Sequence, residues 1–193
     1  MASYIEVIAY LVLYSVIFAS LLFLLRNRNV AGRTLKEYIK PVSFCLIGAM
    51  VGVSIGYMSF FEVETRLVVH QVIWATMVAV SALILVYYRK FNMKNMVVLG
   101  VIYSLWIHGA KCSLRYIVYG AYEPSYRAAD YIIRQFTYGS TIVFVEIFIV
   151  TLAVLLDTEI KKKEKDTKQI SLLILGIAAM VAVLFGAANL FTM

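Results

Sequence analysis

Long apolar segments alternate with short polar stretches along the whole chain. Six segments are mostly apolar over about 18 residues or more, which is the length that a helix needs to cross the hydrocarbon core of a bilayer. Such runs leave no polar face for water and therefore predict helices surrounded by lipid or by other helices. The predicted spans are 4–25, 41–61, 67–88, 95–118, 137–156 and 169–191.

The composition agrees with this pattern. Of the 193 residues, 63% are hydrophobic and 15% are charged, whereas a soluble domain has about 25% charged residues. The first apolar segment is longer than the core of a signal peptide, and its positive charges follow it, so we expect a retained helix. The sequence thus predicts an all-α integral membrane protein, with residues 1–193 forming a single polytopic domain of six transmembrane helices in the lipid bilayer.

A shorter element precedes the fifth span. The turn at 123–125 supplies a candidate N-cap, and one face of the stretch 125–136 is apolar while the other carries Arg127, Asp130 and Arg134. This pattern predicts a short amphipathic helix in the membrane interface, or an extramembrane extension of the fifth span. Four tyrosines around it suit the aromatic belt at headgroup level: Tyr119, Tyr122, Tyr126 and Tyr131.

The net charge of +7 is distributed as a topology signal. Lysine and arginine concentrate in the loops that follow spans one, three and five, and the positive-inside rule places such loops in the cytoplasm. Both termini of this multi-pass protein are then expected outside the cell membrane, although Arg127 and Arg134 in the fourth connection weaken the pattern. Because the charge is explained by topology, no nucleic-acid partner is predicted.

Small residues recur four apart in two of the predicted spans. This spacing lets helix backbones approach closely in a membrane. We predict packing within the chain, with a homo-oligomer or a larger membrane complex as the alternative. Pro41 is predicted to open the second span, where its missing N–H is not needed. The two sets of small residues are Gly48, Gly52 and Gly56, and Ala178, Ala182 and Gly186.

Candidate chemistry concentrates in the fourth span. His108, Lys111, Cys112 and Arg115 fall at i, i+3, i+4 and i+7, so a regular helix places them along one stripe. A charged group at mid-membrane depth costs about 2.5 kcal/mol or more, which makes such residues candidates for function. As alternatives, Lys111 and Arg115 reach outward to the headgroups, and His108 is a hydrogen-bonded packing residue.

Depth along the helices suggests partners for this stripe. With each span centred in the membrane, Glu146 and His108 lie at nearly the same depth, and Lys111 lies about 7 Å outward of the midplane. We therefore predict that Glu146 faces His108 or Lys111. His70 and Trp74 in the third span belong to the same outer half. The expected site is a polar funnel that opens to the outside and is closed by apolar inner halves.

The leading functional hypothesis is transport or conduction of an ion or a small, anionic solute through this funnel. Ionisable groups that face an interior cavity at mid-depth are what such a function needs. No cofactor or metal is predicted. The first alternative is a subunit of a membrane redox complex, either without a cofactor or with a quinone or a b haem site. In the haem version His70 and His108, which are the two histidines of the chain, are the ligands.

An intramembrane enzyme is the second alternative. Cys112 and His108 are four residues apart, so a thiol and an imidazole could approach each other on one helix face. The chain contains no HExxH motif and no paired aspartates. We therefore do not predict an enzyme that acts alone.

Overall fold

The computed structural model describes residues 3–58 and 62–163, and nearly all of them are helical. Five helical segments are long and apolar enough to cross a membrane, which agrees with the predicted all-α fold and with a multi-pass membrane protein. The predicted sixth span at 169–191, with Ala178, Ala182 and Gly186, lies outside the described residues. The five segments are Tyr4–Leu24, Leu35–Ile55, Val63–Tyr88, Met93–Ala121 and Ala129–Thr158.

Six α-helices build these segments, with short irregular pieces between some of them. The α-helices are α1 (Tyr4–Leu24), α2 (Leu35–Ile55), α3 (Val63–Leu83), α4 (Met93–Tyr103), α5 (Ala110–Ile117) and α6 (Ala129–Lys163). A π-helical turn, Ile84–Tyr88, extends α3, and a second one, Ser104–Gly109, joins α4 to α5. Two 3₁₀ turns, Tyr119–Ala121 and Pro124–Arg127, precede α6, and strands β1 (Asn29–Val30) and β2 (Arg33–Thr34) form a small hairpin before α2.

The helices run alternately between two ends of the bundle. At one end the Tyr122 hydroxyl, between α5 and α6, donates a hydrogen bond of 2.9 Å to Glu6 at the start of α1. At the other end the Asn95 side chain, near the start of α4, reaches the hairpin between α1 and α2. We call the first the tyrosine end and the second the basic end, after the side chains that each one carries.

The second span begins earlier than the sequence predicted. Helix α2 starts at Leu35, so Pro41 lies inside the helix and does not open it. A capping interaction sets this start, because the Thr34 backbone N–H donates a hydrogen bond of 2.7 Å to the Glu37 carboxylate. Pro41 has no N–H for the carbonyl four residues before it, so the helix tolerates one missing hydrogen bond in its second turn.

The hairpin at the basic end is pinned to the bundle by a buried amide. Ala31 (φ 52°) and Gly32 (φ 81°) form the tight turn, and two positive φ values are typical of the turn that suits a two-residue hairpin. The Asn95 Nδ2 group donates to the Ala31 carbonyl (2.9 Å) and to the Tyr38 hydroxyl (2.8 Å). The Tyr38 hydroxyl in turn donates to the Val30 carbonyl (3.1 Å). Asn95 therefore joins α4, α2 and the hairpin.

The glycine repeat of α2 faces α3 within the same chain. A methyl group added at Gly48 would lie 2.9 Å from Met77, and one at Gly52 would lie 2.8 Å from Ile73. At Gly56 the added methyl would lie 2.9 Å from the His70 ring. The glycines thus permit the close approach of α2 to α3. Of the two alternatives for span two, packing within the chain is the one that the structure contains, and contact with another subunit stays a prediction.

The predicted interfacial helix at 125–136 is not a separate element. Residues 124–127 form a 3₁₀ turn, and α6 then runs without a break from Ala129 to Lys163. This continuity agrees with the second of our two alternatives, an extramembrane extension of the fifth span, and its position outside the membrane stays a prediction. The physical reason is that nothing between 129 and 141 interrupts the backbone hydrogen bonds, since the one glycine there, Gly139, is tolerated in a helix at a cost of about 1 kcal/mol.

Candidate functional site

The π-helical turn Ser104–Gly109 divides the predicted stripe of the fourth span. A π turn holds more residues than an α turn, so side chains before and after it no longer follow one α-helical stripe. His108 lies inside this turn, whereas Lys111, Cys112 and Arg115 lie in the regular helix α5. The four side chains consequently contact different neighbours. Single π turns of this kind are frequent at functional sites.

Lys111 contacts the histidine of α3. Its Nζ atom lies 3.2 Å from His70 Nε2, and His70 Nδ1 lies 3.3 Å from the Arg66 carbonyl. Since a carbonyl can only accept, Nδ1 carries the proton and donates to Arg66, and Nε2 accepts a hydrogen bond from the lysine. Both nitrogens of this buried imidazole are thereby engaged, and one of the three ammonium donors of Lys111 has a partner.

Trp74 lies between His108 and Lys111. Its ring meets the His108 ring edge to face at 5.4 Å between centroids, and Lys111 Nζ lies 5.4 Å from the centre of its ring system. Trp74 is 2% exposed and His108 is 6% exposed, yet Trp74 Nε1 and His108 Nε2 have no hydrogen-bond partner among the described residues. A buried indole N–H without an acceptor is an unmet donor that a bound ligand can satisfy.

Arg115 is held toward the tyrosine end. Its Nη1 atom donates a hydrogen bond of 2.9 Å to Gln135 Oε1 of α6, and the guanidinium lies 5.8 Å from the Tyr131 ring centroid. The guanidinium also hydrogen-bonds the Tyr57 hydroxyl beyond the end of α2. These neighbours are neutral, so they orient the arginine without cancelling its charge.

The site therefore carries positive charge without a matching carboxylate. Neither Lys111 nor Arg115 forms an ion pair with any described residue. The ion pairs of the described residues, Arg33–Glu37 and Arg134–Asp130, lie on exposed surfaces. Half-buried cations normally pair with a carboxylate or bind an anion, because desolvation of an unpaired charge is costly. We call this cluster the cationic site; its members are His70, Trp74, His108, Lys111 and Arg115.

Tyrosines surround the outer edge of the cationic site. Tyr57, Tyr119, Tyr126 and Tyr131 follow one another with ring centroids 6.0, 5.8 and 5.7 Å apart. Farther out, the hydrogen bond to Glu6 raises the pKa of Tyr122 above its ordinary value. Apolar rings with polar tips suit the boundary between lipid and water, and here they also place hydroxyl groups near Arg115.

The predicted pairing of Glu146 with His108 or Lys111 is wrong for this structure. On α6, the residue that packs against the His108 ring is Gly139, and Phe144 packs against Gly100 of α4. Glu146 lies seven residues beyond Gly139, which is about 10 Å farther along the helix. The depth estimate failed because it compared the midpoints of two spans, whereas α6 packs against the His108 ring at Gly139, well before its own midpoint.

Glu146 belongs to a second buried polar group in the middle of the bundle. It is 5% exposed, its Oε2 atom has no hydrogen-bond partner, and its charge lies within electrostatic range of Tyr103. The Ser81 hydroxyl donates to the Met77 carbonyl (2.7 Å) and accepts a bond of 2.5 Å from the Tyr103 hydroxyl. Helices α3, α4 and α6 thus bring three polar side chains together below the cationic site.

Cys112 is not paired with His108. Its Sγ atom donates a long hydrogen bond of 3.8 Å to the Ile132 carbonyl of α6, while His108 packs against Trp74 and Gly139. The π turn between the two side chains accounts for the difference, because it breaks the four-residue spacing of a regular helix. The thiol–imidazole pair required by the enzyme hypothesis is therefore absent among the described residues.

A haem held by both histidines does not fit the described geometry. An iron ligand needs a free nitrogen, whereas His70 uses Nδ1 on the Arg66 carbonyl and Nε2 on Lys111. The His108 ring is packed closely against the backbone of Gly139 on one side and against Trp74 on the other. A haem at this position would have to displace the lysine and separate α5 from α6.

Several residues of the site were not identified from the sequence. Tyr57 and Gln135 hold Arg115, and Gly139 lets α6 approach His108. Gln135 had a detectable signal, since it is an amide just before a long apolar run. Gly139 had no such signal beyond its small size, because a single glycine does not indicate which residue packs against it.

Replacing Gly139 by alanine should destabilise the protein. The new methyl group would overlap the His108 ring, so the ring or α6 must move. Overpacking of this kind costs about 1–3 kcal/mol, which lowers the Tm of a chain of this size by several degrees. Thermal unfolding in detergent measures the change, with Ser140→Ala as control because its buried hydroxyl has no partner. Equal Tm values for both variants would contradict the packing described here.

Comparison with protein-family models, with curated proteins and with solved structures found no match to this chain.

Proposed function

We propose that this chain is a multi-pass membrane protein that binds a small anion at the cationic site and moves it into or across the membrane. The solute class is a monovalent inorganic anion or a small carboxylate. An anion would supply a partner that the described residues do not, since neither Lys111 nor Arg115 pairs with a described carboxylate and the Trp74 N–H has no acceptor among them. Binding of the anion and its movement can be measured separately.

The observation that supports the proposal best is the position of Lys111. Its ammonium group has one hydrogen-bond partner, His70, and lies against the Trp74 ring within a half-buried setting. Hydrogen bonds that involve a charged group are worth about 1.5–3 kcal/mol each. An anion at Lys111 could accept a further ammonium hydrogen bond and the unpaired Trp74 Nε1–H.

Arg115 supplies the approach to this position. It lies one helical turn nearer the tyrosine end than Lys111, on the same face of α5. Positive charge at the mouth of a low-dielectric cleft raises the local concentration of anions and their rate of entry. We therefore assign Arg115 to attraction of the anion and Lys111 to binding.

The polar group of Ser81, Tyr103 and Glu146 offers a route beyond the cationic site. Solute pathways through membranes are marked by buried polar side chains that face the interior of the bundle. Ser104, whose buried hydroxyl has no partner, lies between the two groups on the same helix path. The positive-inside rule would place the basic end in the cytoplasm, so the anion would enter from outside.

Flux measurements in proteoliposomes test this function. Purified protein in phosphatidylcholine vesicles should pass iodide or acetate faster than protein-free vesicles do, and it should pass rubidium or choline no faster. Selectivity for anions is expected because the described site contains cations and no carboxylate at its level. Flux that does not exceed that of protein-free vesicles, or that favours cations, would contradict transport of an anion.

A further inference from the structure

A second surface, at the opposite end of the molecule, has the form of a lipid site. Side chains of α1, α2 and the π turn after α4 line a groove of about 410 Å³ near the basic end. Its walls are apolar, with Leu22 on α1 and Ile39 and Ile47 on α2, and its floor is the Trp106 ring. From residue 36 to residue 47, α2 borders the groove over about 16 Å, which is a length suited to an extended acyl chain.

Three cations stand at the mouth of this groove. Arg26, Lys36 and Lys40 line it at the basic end, within about two turns of the α1–α2 connection. Arg26 is held in place, since its guanidinium lies 3.8 Å from the centre of the Phe23 ring and donates a hydrogen bond of 2.8 Å to the Phe23 carbonyl. The mouth therefore presents a fixed positive charge beside two flexible ones.

No carboxylate neutralises these cations within the described residues. The acidic residue of this part of α2, Glu37, accepts from the Thr34 backbone (2.7 Å) and pairs with Arg33 at 3.6 Å. A groove that is apolar along its length and cationic at one end is complementary to a molecule with an apolar tail and an anionic head. Basic side chains at a membrane surface attract anionic headgroups in the same way.

We propose that this groove binds one anionic phospholipid, with its phosphate at Arg26, Lys36 and Lys40 and an acyl chain lying along Ile39 and Ile47 toward Trp106. The lipid would fill the gap between α1 and the rest of the bundle. This matters for α1, because only Val7 and Leu11 of that helix are buried in the described structure. The occupied groove would thus attach α1 at the end where its own side chains make few buried contacts.

Quenching of Trp106 by brominated lipids tests the proposal. The chain has two tryptophans, so Trp74→Phe leaves Trp106 as the single reporter. The protein is placed in phosphatidylcholine vesicles that contain a few mole per cent of a brominated lipid. This lipid is either phosphatidylglycerol or phosphatidylcholine, in each case with bromine midway along the acyl chains. We expect brominated phosphatidylglycerol to reach half-maximal quenching at a concentration at least about tenfold lower than brominated phosphatidylcholine does.

Charge variants decide whether the mouth of the groove causes this preference. Lys36→Gln combined with Lys40→Gln should remove most of it, whereas Arg89→Gln combined with Lys94→Gln should keep it. The second pair removes the same charge from exposed positions at the same end and outside the groove. Unchanged quenching by brominated phosphatidylcholine in both variants shows that the protein is folded and inserted.

Three results would overturn the proposal. One is equal quenching by the two brominated lipids, which would mean that the groove takes any lipid chain without regard to the headgroup. Another is loss of phosphatidylglycerol quenching on addition of soluble glycerol phosphate at the same concentration, which would identify a free phosphate as the ligand. Equal loss of preference in both charge variants would likewise assign the effect to overall surface charge.

Discussion

Replacing Lys111 by methionine should reduce iodide flux through proteoliposomes by about tenfold or more, since a charged hydrogen bond is worth about 1.5–3 kcal/mol and 1.4 kcal/mol is a factor of ten. The reason lies in the surroundings of the ammonium group. It faces Trp74 and His70, and the described residues give it no carboxylate. Methionine keeps the length and the apolar stem but removes the charge and its donors.

Three further variants make this result specific. Lys94→Met removes an exposed lysine at the basic end and should leave flux within about twofold of the wild type, because screened surface charges contribute little. Lys111→Arg keeps the charge and should retain part of the flux. Arg115→Met should slow entry without abolishing it, as expected of a group that attracts the anion. Wild-type flux in Lys111→Met, with the protein monodisperse in detergent, would remove Lys111 from the proposed binding role.

Replacing Asn95 by aspartate should lower the Tm strongly. Aspartate keeps the oxygen that accepts from the Asn92 backbone N–H (3.2 Å) but loses the amide donors to Ala31 and Tyr38. Asn95 is 3% exposed, so the two acceptors would be left without a donor in a buried setting. Each unsatisfied buried group costs about 1–3 kcal/mol, and the loss of Tm should be about 5–15 °C.

Tyr38→Phe is the matched control for Asn95. It removes one hydroxyl, and with it the bonds to Asn95 and to the Val30 carbonyl, while the amide keeps its bond to Ala31. Its effect on the Tm should be smaller than that of Asn95→Asp. For a chain of this size, a loss of 1 kcal/mol lowers the Tm by about 2–4 °C. If the Tm of Asn95→Asp lay within about 2 °C of the wild-type value, the hairpin would not be held by this side chain.

The number and the approximate place of the described spans could be predicted from the sequence, because apolar length and charged connections report directly on membrane crossing. Their boundaries could not. Pro41 suggested a helix start that the capping pair of Thr34 and Glu37 moves back by six residues. Likewise the polar face at 125–136 suggested a separate helix, although α6 continues through it.

Helix packing decided the site in ways that the span midpoints could not predict. The midpoints placed Glu146 at the depth of His108, although α6 packs against the His108 ring at Gly139. Because of the π turn, His108 and Cys112 do not lie on one face of a regular helix. No residue type in Ser104–Gly109 predicts such a turn. Conversely, the grouping of His70, Trp74 and Lys111 could be predicted, since α3 and α5 both place these side chains in the half nearer the tyrosine end.

The central claim is that a small anion reaches Lys111, and quenching of Trp74 by iodide tests it most directly. In a Trp106→Phe background Trp74 is the single tryptophan, and its ring lies 5.4 Å from Lys111 Nζ. Iodide should quench Trp74 in this protein, and the further change Lys111→Met should weaken iodide quenching by about tenfold while quenching by neutral acrylamide stays the same. Iodide quenching that is absent, or that is equal with and without Lys111, would contradict an anion site at this position.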